Sequence, residues 1–287
     1  MKRVPLGLGV LLASIFCSAA QVSVEVVLDR EQFLLNESLP VKVRLTNHSG
    51  QLLHLGEEKN WLTFSIESRD GHIVTSLAEL PPTGGLSVES SMVAHRTLDL
   101  MPYYDLSKPG SYTVTASVNI KQWNEQVVSK AKPFDISRGS KLWEQEFGVP
   151  VASGSLPEAR KYTLQQANYG KRLMLYVRLT DLNENRVFKV FPAGPLVSFN
   201  RPEAQIDRLS NLHLLFQTGA RSFLYEVISP DGDILIRQTH DYTATRPVLR
   251  SGDNGKTFVA GGIRRVTASD LPAPSAAPST NDVKKPQ

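Results

Sequence analysis

Val41-Lys42-Val43-Arg44-Leu45-Thr46, followed by Asn47-His48-Ser49-Gly50, alternates apolar and polar side chains and then stops in a run of turn formers. Side chains of a strand point alternately to its two faces, so this stretch has one buried face and one wet face, as in an antiparallel sheet. The same period of two recurs upstream, where Val22, Val24 and Val26 alternate with Ser23 and Glu25. It recurs downstream, where Tyr112, Val114, Ala116 and Val118 alternate with Thr113, Thr115 and Ser117. Asp70-Gly71 and Lys108-Pro109-Gly110 punctuate these runs as turns. Further strands are expected near residues 52–55, 62–67, 92–100 and 127–134. About seven short strands separated by turns predict a β-sandwich over residues 21–136.

The run from Phe33 through Asn36-Glu37-Ser38 to Thr46-Asn47 resembles the opening of bacterial immunoglobulin-like domains, in which a polar turn leads into a strand that ends in Thr-Asn. Residues 105–112, closing in Gly110-Ser111-Tyr112, resemble the late Gly-x-Tyr segment of the same domains. The resemblance implies an immunoglobulin-like sandwich without the inter-sheet disulfide. It also implies that Tyr112 is a tyrosine corner, its hydroxyl tying a loop to the strand. It implies nothing about activity, because this fold hosts many unrelated roles.

Residues 137–156 mark a junction, rich in small residues and holding Gly139, Pro150 and Gly154. Within it Trp143 and Phe147 stand four apart with Leu142 beside them, a spacing that predicts one or two helical turns docking two domains. Beyond it, over residues 157–266, the sequence echoes itself. Arg201-Pro202 leads to Leu212-His213-Leu214-Leu215-Phe216, and Arg246-Pro247, 45 residues later, leads to Thr257-Phe258-Val259-Ala260. Residues 222–228, the turn at Asp231-Gly232-Asp233 and residues 234–238 complete four strands per period, which resembles a β-propeller blade. About two and a half such blades fit the domain, whereas a closed propeller takes at least four. Three readings stay open: a compact sheet domain that borrows the blade pattern, a propeller completed between protomers, or a coincidence of hairpin chemistry. The fold class is therefore all-β, an immunoglobulin-like β-sandwich followed by a second antiparallel β domain with blade-like 45-residue repeats.

Both ends of the chain read differently from its middle. Lys2 and Arg3 precede a mostly apolar, uncharged stretch over residues 4–17, and Ser18-Ala19-Ala20 supplies small residues for cleavage after Ala20. This predicts a secretory signal peptide over residues 1–20 and an exported, periplasmic or secreted protein. Bulky Phe16 directly before Cys17 argues against a lipobox. No segment has the length of uninterrupted apolar residues that a stable membrane span needs. Residues 267–287, mostly Pro, Ala, Ser, Thr, Asp, Asn and Lys, predict a disordered tail.

Of 287 residues, 41% are apolar, which excludes a wholly disordered chain. Net charge is +4, or +2 once Lys2 and Arg3 leave, too weak to indicate a nucleic-acid partner. The lone Cys17 excludes a disulfide framework and a cysteine zinc site. The six histidines form no His-x-x-x-His motif. His240-Asp241-Tyr242 pairs a base with a carboxylate, yet strand neighbours face opposite ways and no Gly-x-Ser-x-Gly elbow accompanies them. Asp231-Gly232-Asp233 lacks the further acidic ligands of a calcium loop and reads as a hairpin turn. No catalytic, cofactor or metal residues are expected. The candidate binding surface comprises Arg201 and Arg246, equivalent positions of the echo, with Tyr103, Tyr104 and Trp61 as aromatic contacts. The expectation is a non-enzymatic binding protein of the bacterial envelope with a protein or glycan partner. Its alternatives are a carbohydrate binder that completes a propeller by oligomerisation, and a hydrolase around His240 and Asp241.

Overall fold

The computed structural model describes residues 21–56, 58–82, 84–149, 158–252 and 255–272. The expected signal peptide, residues 150–156 of the junction, residue 157 and the expected tail from residue 273 lie outside these residues. The chain is all-β. The first domain contains β1 (Val22–Val27), β2 (Gln32–Leu34), β3 (Pro40–Asn47), β4 (Leu53–Leu55), β5 (Leu62–Ser68), β6 (Leu86–Val88), β7 (Val93–Asp99), β8 (Gly110–Ile120), β9 (Glu125–Val128) and β10 (Lys132–Ser137). One sheet has the order β1-β3-β7 and the other β2-β10-β8-β5, with β4 and β6 forming a small separate pair. Pairing is antiparallel except that β2 runs parallel to β10.

The apolar alternation sets this domain's core. Val41, Val43 and Leu45 of one sheet meet Ile66, Val114, Ala116 and Val118 of the other, all fully buried. Asn47, at the end of β3, is buried too. Its amide donates to the carbonyls of Gln51 and Val88 at 2.7 and 2.8 Å, and its Oδ1 accepts from the Ser49 backbone, so the asparagine builds the turn that follows. The Tyr112 hydroxyl donates to the Lys108 carbonyl at 2.6 Å, tying the loop to the start of β8. The strand expected over 127–134 is split. The Ser129 hydroxyl accepts the Ala116 amide at 2.9 Å in place of a ladder carbonyl, and the chain bulges between β9 and β10 along one edge of β8.

The second domain contains β11 (Ser140–Val149), β12 (Glu158–Tyr169), β13 (Arg172–Asp181), β14 (Val187–Pro195), β15 (Glu203–Ile206), β16 (Leu212–Gln217), β17 (Ser222–Ile228), β18 (Ile234–Asp241), β19 (Val248–Ser251), β20 (Thr257–Ala260) and β21 (Ile263–Arg265). Strands β11-β12-β13-β14 form one antiparallel meander, β15-β16-β17-β18-β21 a second, and β19-β20 a hairpin. The two meanders pack face to face around Tyr162, Leu164, Leu175, Val177, Leu212, Leu214 and Phe216. No closed propeller or barrel forms among the described residues.

Each of these sheets is also covered on its second face. Tyr176 and Val190 of the first meander meet Leu34 of the sandwich, while Leu215, Phe223, Tyr225 and Val227 of the second meet Leu249 of the hairpin. Burial on both faces explains why Leu212 to Phe216 and Leu173 to Val177 do not alternate.

Two expectations are corrected. The helical turns expected at 141–148 are strand β11, paired along its length with β12. A spacing of four also satisfies a period of two, so Trp143 and Phe147 share a strand face, and Phe147 stacks on Tyr162 at 4.3 Å. The junction is correspondingly short: a Cβ on Gly139 would lie 2.9 Å from the Gln165 Cβ, so the crossing is packed rather than loose. The start of the expected tail is also ordered. Leu271 exchanges backbone hydrogen bonds with Arg237 at 3.0 Å, and buried Asp270 accepts from Thr267 and pairs with Arg264.

Candidate functional site

The 45-residue echo resolves into two similar hairpins, β15-β16 and β19-β20. The second lies along the first: the Leu249 amide donates to Glu203 at 2.8 Å and the Ser251 hydroxyl to Gln205 at 3.2 Å. Leu249 and Val259 then cover the outer face of β16-β17-β18. Toward the turns of the two hairpins the surfaces separate, leaving an open cleft of about 700 Å³. That volume is in the range of small-molecule sites.

The polar side of the cleft is a connected chain. Asp207 begins the β15-β16 turn. Its Oδ1 accepts the amides of Leu209 and Asn211, and its Oδ2 accepts the Asn211 side-chain amide at 3.0 Å and His213 Nε2 at 3.1 Å. A carboxylate offers no proton, so Nε2 carries the hydrogen. With a single ring proton, His213 Nδ1 is then the acceptor for the Tyr225 hydroxyl at 2.7 Å. Burial pushes Asp207 up, but the bonds from Asn211, His213 and the backbone outweigh it and hold the group below its ordinary value. Burial, with Asp207 adding to it, pushes Tyr225 up to about 12. The phenol stays protonated and serves as a donor, not as a nucleophile.

His240, on the neighbouring strand, meets Tyr225 edge to face at 6.3 Å. Its Nε2 is buried without a hydrogen-bond partner among the described residues. Burial, and then the Arg264 charge, lowers its pKa against Asp270 and Asp241, favouring the neutral ring. The apolar walls are Val227, Leu235, Ile236, Phe258 and Val259, and Arg208 and Lys256 stand on the two turns at the mouth. Among the described residues no group of three or more His, Cys, Asp or Glu is arranged to hold a metal ion.

The residues expected as a binding surface lie elsewhere. Trp61 and Tyr104 are core residues of the sandwich, Tyr104 donating to the Phe64 carbonyl at 2.7 Å, and Tyr103 packs half-buried against the same core. The aromatic pair Tyr103-Tyr104 is therefore used for packing. Arg201 is exposed, and Arg246 places its guanidinium 5.3 Å from the Phe223 ring centre and reaches Asn200 at 3.5 Å. Both arginines precede β15 and β19, at the ends of the hairpins away from the cleft mouth. His240 and Asp241 are not brought together: His240 lines the cleft, while Asp241 bonds Ser222 and Arg265. Asp231-Gly232-Asp233 is the hairpin turn expected, with Gly232 at φ +81° and its two carboxylates paired with Arg160 and Lys189.

Asp207, Arg208, Tyr225 and the cleft itself were not apparent from the sequence. One signal was present: His213 sits inside the apolar run Leu212 to Phe216. A polar ring in a strand buried on both faces demands a partner.

No family model matches the sequence, and no curated protein matches it. Among solved structures, the chain is similar to a crystal structure of Spo0M, sporulation control protein, from Bacillus subtilis. The two share 8% identity at a TM-score of 0.31, over 56% of this chain and 80% of that one.

Proposed function

We propose that this chain is an exported, non-catalytic binding protein of the bacterial envelope, and that the cleft between β16-β18 and the β19-β20 hairpin is its ligand site. The observation that carries the reading is the cleft itself. An apolar cavity with a few converging polar groups is the usual form of a small-molecule site, and here the polar chain Asp207–His213–Tyr225 is locked by its own hydrogen bonds. The high Tyr225 pKa and the separation of His240 from Asp241 leave that chain without an activated nucleophile. Export rests on the basic start, apolar run and Ser18-Ala19-Ala20 of residues 1–20. An immunoglobulin-like reading of the first domain is supported by the strand order β2-β10-β8-β5, by β2 running parallel to β10, and by the Tyr112 tie to Lys108.

Native mass spectrometry of the protein purified from producing cells tests both parts. The expected spectrum has a mature chain beginning at Gln21 and carrying a small-molecule adduct. Leu235→Trp, which fills the cleft from a half-exposed wall position, is expected to remove the adduct without altering the circular dichroism. An adduct retained by this variant, or a chain with residues 1–20 intact, overturns the corresponding part.

A further inference from the structure

Three large apolar side chains stand exposed around one opening. Leu209 is 74% exposed, Leu235 47% and Phe258 44%, and all three line the cleft. Single exposed leucines are ordinary, but a convergence of them on a cavity marks a surface that meets an apolar partner. The polar groups around the same opening are one-sided. Asp207 has its lone-pair positions taken by four donors, two to each oxygen, so it has nothing left to offer a ligand hydroxyl or ammonium. His213 is engaged at both ring nitrogens.

Among the described residues, what remains is the neutral His240 ring inside the cleft and one cation at its mouth. Arg208 has no hydrogen-bond or ion-pair partner among the described residues. It lies across the opposite turn, where a Cβ on Gly255 would come within 3.0 Å of its Nε. Lys256, on the same turn as Gly255, is itself engaged and is not free. The mouth thus combines an apolar rim with a guanidinium that has no partner among the described residues, and its planar fork matches the two oxygens of a carboxylate.

We propose that the cleft binds an amphipathic acid, whose apolar body lies between Leu235, Ile236 and Phe258 and whose carboxylate is seated against Arg208. This rests on the cleft being the ligand site, and the test separates the two. Isothermal titration compares octanoate, 1-octanol and octylammonium on the wild-type chain, on Arg208→Gln and on Leu235→Trp. Octanoate is expected to bind about tenfold tighter than octanol, the worth of one charge-assisted pair. Arg208→Gln is expected to erase that advantage while leaving octanol binding unchanged, and Leu235→Trp to weaken both. Octanol or octylammonium binding as tightly as octanoate overturns the carboxylate assignment while leaving the cleft as the site. Octanoate binding that Leu235→Trp does not weaken overturns the cleft, and no octanoate binding below its micellar limit overturns the proposal outright.

Discussion

Glu226 is fully buried on the face of β17 that looks toward the first meander, beside Leu224 and Ile228. One carboxylate oxygen accepts Arg237 at 2.6 Å, and the other has no partner among the described residues. Burial pushes its pKa up to about 7, and the Arg237 charge only partly opposes this. Below pH 4.5 the group is protonated in both the folded and the unfolded chain. Between 4.5 and 7 the unfolded chain gives up the proton and the folded one keeps it, so stability falls as pH rises through this window. Glu226→Gln is expected to flatten that slope. Relative to wild type it should gain roughly 3 kcal/mol between pH 4.5 and pH 8, at about 1.4 kcal/mol per unit of displacement. Urea titrations at the two pH values measure it, and parallel curves for the two proteins would contradict the assignment. The polar residues of the cleft follow the opposite rule. Depressed Asp207 contributes stability that is lost as pH falls, because its four hydrogen bonds require the ionised form.

At the scale of strands and turns, much of the fold was legible because local chemistry and long-range pairing agree. The alternation of Val41, Val43 and Leu45 reports a half-buried sheet, and Asn47 and Gly232 mark turns whose geometry they themselves supply. The misreadings share a cause, which is that a partner far along the chain decides between two local options. Trp143 and Phe147 fit a helix or a strand equally well until β12 is there to pair with β11. Ser129 breaks an otherwise continuous strand only because the Ala116 amide lies opposite its hydroxyl. The cleft was hidden for the same reason: Asp207, His213, Tyr225 and His240 come from a turn and three different strands, and each looks ordinary alone. Strand β11 offers a direct check. Phe147→Ala removes the ring stacked on Tyr162 and is expected to cost about 2 kcal/mol. Exposed Glu146→Ala should stay within about 0.5 kcal/mol. Equal losses in urea denaturation would be incompatible with a strand whose faces differ in this way.

The whole molecule runs from the two-sheet sandwich, through two meanders packed on each other, to the covering hairpin. The seam between sandwich and first meander is specific. Leu34 packs with Tyr176 and Val190, the Arg178 guanidinium donates to the Leu35 carbonyl and to Asn36 at 3.3 and 3.1 Å, and the Gly170 amide donates to Gln32 at 2.9 Å. This seam and the packed Gly139 crossing are expected to make the chain unfold in one calorimetric transition. Combining Tyr176→Ala with Arg178→Ala should split it into two, and a double variant that still melts as one unit would show that the seam does not couple the domains. On the sandwich side the residues of the seam belong to β2 and the turn after it, and among the described residues β2 pairs in its own sheet with β10 alone, Gln32 opposite Asp135. During synthesis the amino end appears first, so Leu34 waits, uncovered, for Tyr176 and Val190 of the first meander, and Phe33 waits until the last strand of its own domain has been made. By then β11 follows within a few residues. The sandwich therefore closes at nearly the same moment that its neighbour begins to form, and a ribosomal pause just before residue 132 would hold the nascent chain at its most adhesive.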